Sequence, residues 1–92
     1  MSVEVRVPSI LRKHTGGAKV VSSQPGTVAA VIEDLERQYP GMKQELMTED
    51  GQMRQFVNLY VNDEDIRYLD RLNTSVADGD EVAILPAVAG GN

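Results

Sequence analysis

The sequence has no cysteine, a single histidine and no long apolar run. Without cysteine the chain cannot form a disulfide, a zinc–thiolate site or a cysteine nucleophile. A membrane-spanning helix needs about 18 consecutive apolar residues, and no such run is present. Met1–Pro8 alternates apolar and charged residues instead of showing a charged start and an apolar block. We therefore expect no secretory signal, a cytoplasmic location and no bound metal ion.

Basic residues are also in short supply, with 9 Lys+Arg against 14 Asp+Glu and a net charge of −5. Nucleic-acid binding requires clustered Lys and Arg, and the basic cluster Arg12–His14 is too short to provide it. An acidic surface is compatible with a basic protein partner, although solubility explains it equally well. A chain of 92 residues forms one domain with a small core. That size favours a binding module, a carrier or an inhibitor over an enzyme with a deep cleft.

The first quarter of the chain predicts two strands. Val3, Val5 and Val7 alternate with charged residues, which is the pattern of a half-buried strand ended by Pro8. A loop with a Gly16–Gly17 turn follows, and Ala18–Ser23 predicts the second strand. Because the two strands are so close in sequence, we expect them to form an antiparallel hairpin.

The clearest helix lies between Gln24 and Gly41. Thr27 is a suitable N-cap residue, and Pro40–Gly41 ends the helix. One apolar stripe is formed by Val28, Val31, Ile32, Leu35 and Tyr39. The opposite face, which we expect to point outward, contains Glu33, Asp34, Glu36 and Arg37.

The second half of the chain predicts the remaining strands. In the segment that begins at Phe56, Val57, Leu59 and Val61 share one face of a third strand. A tight polar turn, Asn62–Asp65, leads into a short strand around Ile66–Tyr68. After the turn at Asp78–Gly79, Glu81–Pro86 predicts the last strand.

The resulting order is β-β-α-β-(β)-β, in which one amphipathic helix covers one face of a mixed sheet. The first and last strands are expected at the centre of the sheet, parallel to each other, because a helix crossover separates them. This is the ubiquitin-like β-grasp arrangement, an α+β fold. We expect residues 1–86 to form this domain and residues 87–92 to leave the sheet as a free tail.

Three stretches of the sequence resemble the ThiS/MoaD family of sulfur-carrier proteins: PSILRKHTGG, FVNLYVNDEDIR and ADGDEVAILPAVAGG. The resemblance covers essentially the whole chain. Within the family, the residues look most like the carrier that serves an actinobacterial cysteine synthase. The most telling parts are YVNDEDIR and the tail sequence LPAVAGG, because the two glycines directly follow the last strand of a β-grasp domain.

The resemblance implies a carrier that is not itself an enzyme. In this family an E1-like adenylyltransferase uses ATP to adenylate the carboxylate of the terminal glycine, here Gly91, and a sulfur source converts it to a thiocarboxylate. A cysteine synthase or another sulfur-accepting enzyme then receives the sulfur; for the cysteine synthase the acceptor is O-phosphoserine. A JAMM-type metallopeptidase releases the cysteine. ATP is used by the activating enzyme, so the resemblance implies no cofactor bound to this chain.

The composition of the tail agrees with that chemistry. A chain without cysteine must hold sulfur elsewhere, and the carboxyl group of Gly91 is the available handle. Glycine leaves the carbonyl unobstructed and allows the backbone many conformations. Ala87 and Ala89 keep the tail slim enough to enter a narrow channel, and Val88 can anchor it.

Asn92 departs from the family pattern, because the carboxyl group of Gly91 forms the amide bond to Asn92 and is not free. Three interpretations compete. The one that we favour is a precursor that a peptidase trims after the two glycines. The second is an artefact or a deliberate block, and the third is a chain that has lost carrier function and serves only as a bound subunit.

Several other features suggest sites but have simpler explanations. Asn62–Asp65 lacks the spacing of a calcium loop, so we interpret it as a turn in which Asn and Asp bond their own backbone. Gly16–Lys19 lacks the frame of a phosphate-binding loop and is better explained as a hairpin turn. His14 has no Ser or Asp at a suitable spacing, and we expect a surface residue in a loop.

Two aromatic residues, Phe56 and Tyr60, alternate with the inward valines and should lie on the sheet face away from the helix. With Pro86 and Val88 they would form a partner-binding patch, since aromatic residues concentrate at interfaces. The family resemblance also implies docking through this face. Alternative functions are the small subunit of molybdopterin synthase, a thiazole or secondary-metabolite sulfur carrier, a ubiquitin-like protein modifier, and a structural subunit with an inert tail.

Overall fold

The computed structural model describes residues 2–55 and 57–86. Its strands and helices, in chain order, are β1 (Val3–Arg6), β2 (Val20–Ser23), β3 (Gly26–Thr27), α1 (Val28–Gln38), α2 (Met42–Leu46), β4 (Val57–Val61), β5 (Glu64–Asp65), β6 (Ser75–Val76) and β7 (Glu81–Pro86). Short 3₁₀ helices span Ser9–His14, Ile66–Tyr68 and Arg71–Asn73. None of the described helices is long and apolar enough to cross a membrane.

The main sheet has the strand order β2-β1-β7-β4-β5. The first and last strands lie side by side and run parallel, with Val5 opposite Val82, as predicted. β2 is antiparallel to β1, and β4 is antiparallel to β7. A second, two-stranded sheet of β3 and β6 was not predicted, because pairs of two-residue strands leave no periodic pattern in the sequence. The β-grasp fold is confirmed.

The core lies between one face of the main sheet and α1. Val3 and Val5 are fully buried, whereas Glu4 and Arg6 between and after them are exposed, so the predicted alternation is confirmed. The apolar stripe of α1 packs on this face, and its fully or almost fully buried residues are Val28, Val31, Ile32 and Leu35. Each aliphatic side chain buried in this way contributes about 1.5–3 kcal/mol to the free energy of unfolding.

The ends of α1 follow the local sequence. The Thr27 side chain accepts a hydrogen bond from the backbone N–H of Ala30 at 3.1 Å, which confirms it as the N-cap. Gly41 adopts a left-handed φ of 101° after the helix, so the chain turns there into α2. A longer side chain at this position would also collide with the ring of His14, whose Cε1 lies 3.1 Å from an ideal Cβ.

The expectation that Asp34 points outward is wrong. Its side chain is buried, with 7% exposed, and its Oδ2 accepts hydrogen bonds from Ser23 Oγ at 2.9 Å and Gln38 Nε2 at 2.7 Å. Arg37 forms an ion pair with the other carboxylate oxygen. A buried carboxylate needs such partners, and one of them comes from β2, so the helical pattern alone could not reveal its burial.

The short strand predicted around Ile66–Tyr68 is also wrong, because these residues form a 3₁₀ helix. Asp65 Oδ1 accepts a hydrogen bond from the N–H of Arg67 at 2.9 Å, and this local bond turns the chain out of the extended conformation. Pairing is therefore limited to β5. Asn62 and Asp63 form the predicted tight turn with φ of 50° and 72°, although Asn62 Oδ1 accepts from the N–H of Glu81 instead of bonding its own backbone.

His14 is not the loop surface residue that we expected. It ends a 3₁₀ helix, which turns its ring toward α2, and its side chain is only 18% exposed. His14 Nε2 lies 2.9 Å from Glu45 Oε2, and this contact is the largest cause of the lowered pKa of the Glu45 carboxyl. The contact ties the segment after β1 to α2.

Candidate carrier tail and docking face

The last strand, β7, ends at Pro86 in the interior of the sheet, between β1 and β4. Pro86 is exposed and lies opposite Val57, the first residue of β4. The predicted tail residues Val88, Ala89, Gly90, Gly91 and Asn92 lie outside the described residues, and so does Phe56. The structure therefore gives the place where the tail begins, at the end of a central strand.

The sheet face opposite α1, which we call the open face, passes directly by this point. Its central row runs across all five strands and consists of Val20, Arg6, Ala83, Tyr60 and Asp65. Tyr60 is half-buried, while its neighbours Leu59 and Val61 are buried in the core. The structure thus places Tyr60 on the face away from the helix, as predicted, and its role in docking stays a prediction.

Three exposed apolar residues near the end of β7 were missed from the sequence. Leu85 is 46% exposed and belongs to the open face, since it alternates with the buried Ile84. Val20 is 44% exposed and pairs with Arg6 on the same face. Ile10, in the 3₁₀ helix that follows β1, is 62% exposed. The alternation of β7 was sufficient to find Leu85, whereas Val20 required the strand register and Ile10 required the 3₁₀ helix that exposes it.

Two ion pairs lie on either side of the middle of the open face. Arg6 on β1 pairs with Glu81 on β7. At the β5 edge, Arg67 Nη2 lies 2.7 Å from Asp65 Oδ2, and Arg67 Nε contacts both carboxylate oxygens. Hydrogen bonds from the Arg67 side chain lower the pKa of the Asp65 carboxyl, and the carboxylate raises the pKa of Arg67. These pairs fix the charged side chains on either side of Tyr60.

A groove of about 550 Å³ lies at the other edge of β4, between Gly51–Leu59 and the segment Asp65–Asn73. Its lining mixes apolar and polar side chains and includes no histidine, serine or threonine among the described residues. In residues 2–55 and 57–86, no group of three or more His, Cys, Asp or Glu side chains is arranged to hold a metal ion. The described part of the chain thus presents its open face next to the end of β7.

The sequence profile of the ThiS family matches residues 5–91. The sulfur carrier protein CysO of Mycobacterium tuberculosis is 55% identical, with 99% of this chain and 100% of that protein covered. The crystal structure of that organism's CysO matches with a TM-score of 0.89 and 53% identity, over 94% of this chain and 99% of the other.

Two further relatives bear on function. The crystal structure of the Amycolatopsis orientalis BexX/CysO complex contains a chain that matches with a TM-score of 0.90 and 48% identity, covering 97% of this chain and 99% of that one. Small archaeal modifier protein 3 of Haloferax volcanii is 33% identical, with 99% of this chain and 100% of that protein covered.

Proposed function

Because the chain belongs to the ThiS family, we propose that it is a sulfur carrier that acts as a co-substrate of partner enzymes and not as an enzyme itself. The observation that carries this proposal is the identity of 55% with a CysO sulfur carrier over the whole length of both chains. The site supports it as well, because the two glycines follow shortly after a central strand whose end is exposed. We propose that the carrier acts in the cytoplasm.

The carboxylate of Gly91 is a poor electrophile, so it must first receive a good leaving group. After a peptidase removes Asn92, a carboxylate oxygen of Gly91 attacks the α-phosphorus of ATP on an E1-like adenylyltransferase, and pyrophosphate leaves. Hydrosulfide then attacks the acyl carbon and displaces AMP, which leaves a thiocarboxylate at Gly91. This chain contributes the unobstructed glycine carbonyl, and the partner supplies the catalytic groups and ATP.

We assign the sulfur to cysteine synthesis, in keeping with the name of the matched relatives. A cysteine synthase that holds activated serine from O-phosphoserine accepts the thiocarboxylate sulfur, and phosphate leaves. The thioester formed rearranges to an amide, and a JAMM-type metallopeptidase hydrolyses that amide to release cysteine and regenerate the Gly91 carboxylate. The same class of peptidase is our candidate for the removal of Asn92.

Docking would use the open face next to Pro86. Leu85, Val20 and Tyr60 provide an apolar surface beside the start of the tail. Apolar and aromatic residues at the centre of a patch with a polar surround are typical of protein interfaces. The existence of a BexX/CysO complex supports partner docking for a carrier of this kind.

A second candidate function is protein modification, in which Gly91 is joined to lysine amines of target proteins. The similarity to small archaeal modifier protein 3 favours it over the molybdopterin-synthase and thiazole alternatives. The two functions share the activation step and differ in the nucleophile that receives the tail.

The test is the intact mass of the protein purified from its native host, with the tail sequenced. We expect a chain that ends at Gly91, a fraction of which has sulfur in place of one carboxyl oxygen. A chain that still ends at Asn92, without any sulfur form even after incubation with the host's JAMM-type peptidase, would contradict the carrier function. Isopeptide conjugates without a thiocarboxylate would favour the modifier. Rescue of a cysteine auxotroph would assign the pathway.

A further inference from the structure

Charged residues are distributed unevenly along this acidic chain. Residues 5–32 contain no Asp or Glu, although the whole chain carries a net charge of −5. The same stretch contains Arg6, Arg12, Lys13 and Lys19. Residues 51–62 also lack acidic side chains and contain Arg54. The position of these basic segments in the sheet decides which part of the surface carries their charge.

The register brings three of these basic residues around the end of β7. Arg12 Nε donates to the C=O of Val7 at 3.1 Å, and Val7 follows directly on β1, the parallel neighbour of β7. Lys19 accepts at its backbone C=O from the N–H of Val7, so it lies at the same level at the start of β2. Neighbouring strands are about 4.8 Å apart, so both residues lie near the end of β7.

On the other side, the C=O of Arg54 accepts from the N–H of Val57 at 3.1 Å, and Val57 is the residue that pairs with Pro86. The backbone of Arg54 therefore flanks the end of β7 from the β4 side, and its Nε donates to the C=O of Gln44 in α2 at 2.6 Å. We call Arg12, Lys19 and Arg54 the exit collar, because their backbones lie on either side of the end of β7.

The charges of the exit collar have no carboxylate partner within residues 2–55 and 57–86, since the ion pairs there use other Arg, Lys and His residues. Lys19 and Arg54 are exposed, and Arg12 is half-buried. Acidic residues concentrate at the opposite end of the sheet, where β1, β7 and the β4–β5 turn contribute Glu4, Asp63, Glu64, Asp78 and Asp80. The strands of the main sheet thus have their acidic residues at the start of β7, and near its end the carboxylate of Glu45 in α2 is already paired with His14 and Lys13.

We propose that the protein that receives the tail presents carboxylates around the mouth of its channel, which pair with the exit collar while apolar groups cover Leu85 and Val20. This inference rests on the proposed function, because it requires that a partner accepts the tail. Complementary charge raises the rate of encounter and fixes orientation. An acidic mouth repels the bulk of a chain with a charge of −5 and attracts only its tail end, so the carrier arrives in the productive orientation.

The first arm of the test needs only the carrier. An acetylated hexaglutamate peptide is titrated into the isotope-labelled full-length chain at low salt while backbone amide shifts are recorded. We expect the largest shifts at Arg12, Lys19 and Arg54 and a loss of binding at high salt, because exposed charges are screened. Shifts centred on the control cations Arg37 and Lys43, or tighter binding of a short DNA duplex than of hexaglutamate, would overturn the proposal.

The second arm measures activation by the adenylating enzyme of the same host. In chains that end at Gly91, the triple variant R12Q/K19Q/R54Q is compared with R37Q/K43Q/R71Q, which loses the same charge outside the exit collar, from α1, α2 and the 3₁₀ helix that begins at Arg71. We expect the collar variant to raise KM about tenfold or more with kcat little changed, and the control to change KM less than about twofold. An equal change in KM for both variants would contradict the collar. If the unsubstituted chain that ends at Gly91 is not activated at all, the carrier function fails, while the peptide titration still decides the collar.

Discussion

Val57, the first residue of β4, lies directly opposite Pro86, the last residue of β7. Pairing of β7 with β1 has already ended at Ala83, so Pro86 is held from the β4 side alone. Proline has no N–H to donate and cannot extend a sheet ladder. Within residues 2–55 and 57–86, the pairing of the central strand therefore ends at Pro86, next to the predicted tail.

Replacement of Leu85 by serine tests the docking face. Leu85 is about half exposed at the end of the open face, so the substitution should change the free energy of unfolding by about 0.5 kcal/mol or less. We expect KM for activation by the adenylating enzyme to rise by about tenfold, because an apolar contact at the centre of an interface is lost.

The matched control for Leu85 is Tyr68→Ser. Tyr68 is 84% exposed but lies on the 3₁₀ helix after β5, a strand that is not a neighbour of β7. Its loss should leave KM unchanged in the same kinetic assay. If both variants raise KM equally, the docking surface extends well beyond the open face and our assignment of it is wrong.

Two glycines with similar backbone angles offer a matched test of packing against His14. Gly17 has a φ of 92° and open space where a Cβ would stand, whereas Gly41 has a φ of 101° and the His14 ring 3.1 Å from that position. Both alanine variants place a side chain in a left-handed conformation, which costs about 1–2 kcal/mol. We expect Gly41→Ala to lose about 1 kcal/mol more than Gly17→Ala in urea unfolding, because the ring must move. Equal losses of unfolding free energy would show that the His14 ring moves aside without a measurable cost.

The sequence was sufficient for the parts of the fold that depend on periodic burial and local capping. The alternation of Val3 and Val5 and the N-cap at Thr27 are examples, since each is decided by neighbours in sequence. Asp34 could not be predicted as buried, because its partner Ser23 comes from another strand. The strand predicted at Ile66–Tyr68 was wrong because a single hydrogen bond from the Arg67 N–H to Asp65 outweighs the strand preference of isoleucine and tyrosine.

The candidate site was predictable to a similar extent. The strand alternation placed Tyr60 on the correct face, and the same reasoning applied to β7 would have found Leu85. The exit collar could not be predicted, because Arg54 is far in sequence from Arg12 and Lys19 and reaches the same end of the sheet only through the strand register.

The Asp65–Arg67 pair predicts a specific pH dependence. Arg67 lowers the pKa of Asp65 below its ordinary value of 3.8, so the pair stabilises the folded chain wherever Asp65 is ionised in the unfolded state. That contribution is fully present above the unfolded pKa and is lost as pH falls through the lowered folded pKa. Urea unfolding of the wild type and of Arg67→Gln should therefore differ at neutral pH and converge in acid. A difference that stays constant down to the acid limit would mean that Arg67 acts through packing and not through charge.

Removal of Asn92 should convert the chain into a direct substrate for activation. With Asn92 present, the carboxyl of Gly91 is an amide, and an amide oxygen cannot form the acyl-adenylate that a carboxylate forms. We expect a variant that ends at Gly91 to support ATP–pyrophosphate exchange with the adenylating enzyme, whereas the chain that ends at Asn92 does so only after incubation with the peptidase. The matched control ends at Gly90, which keeps a terminal glycine but shortens the tail by one residue. Equal exchange by the untreated chain with Asn92 would refute the trimming step, and equal exchange by the control would show that tail length is not read by the enzyme.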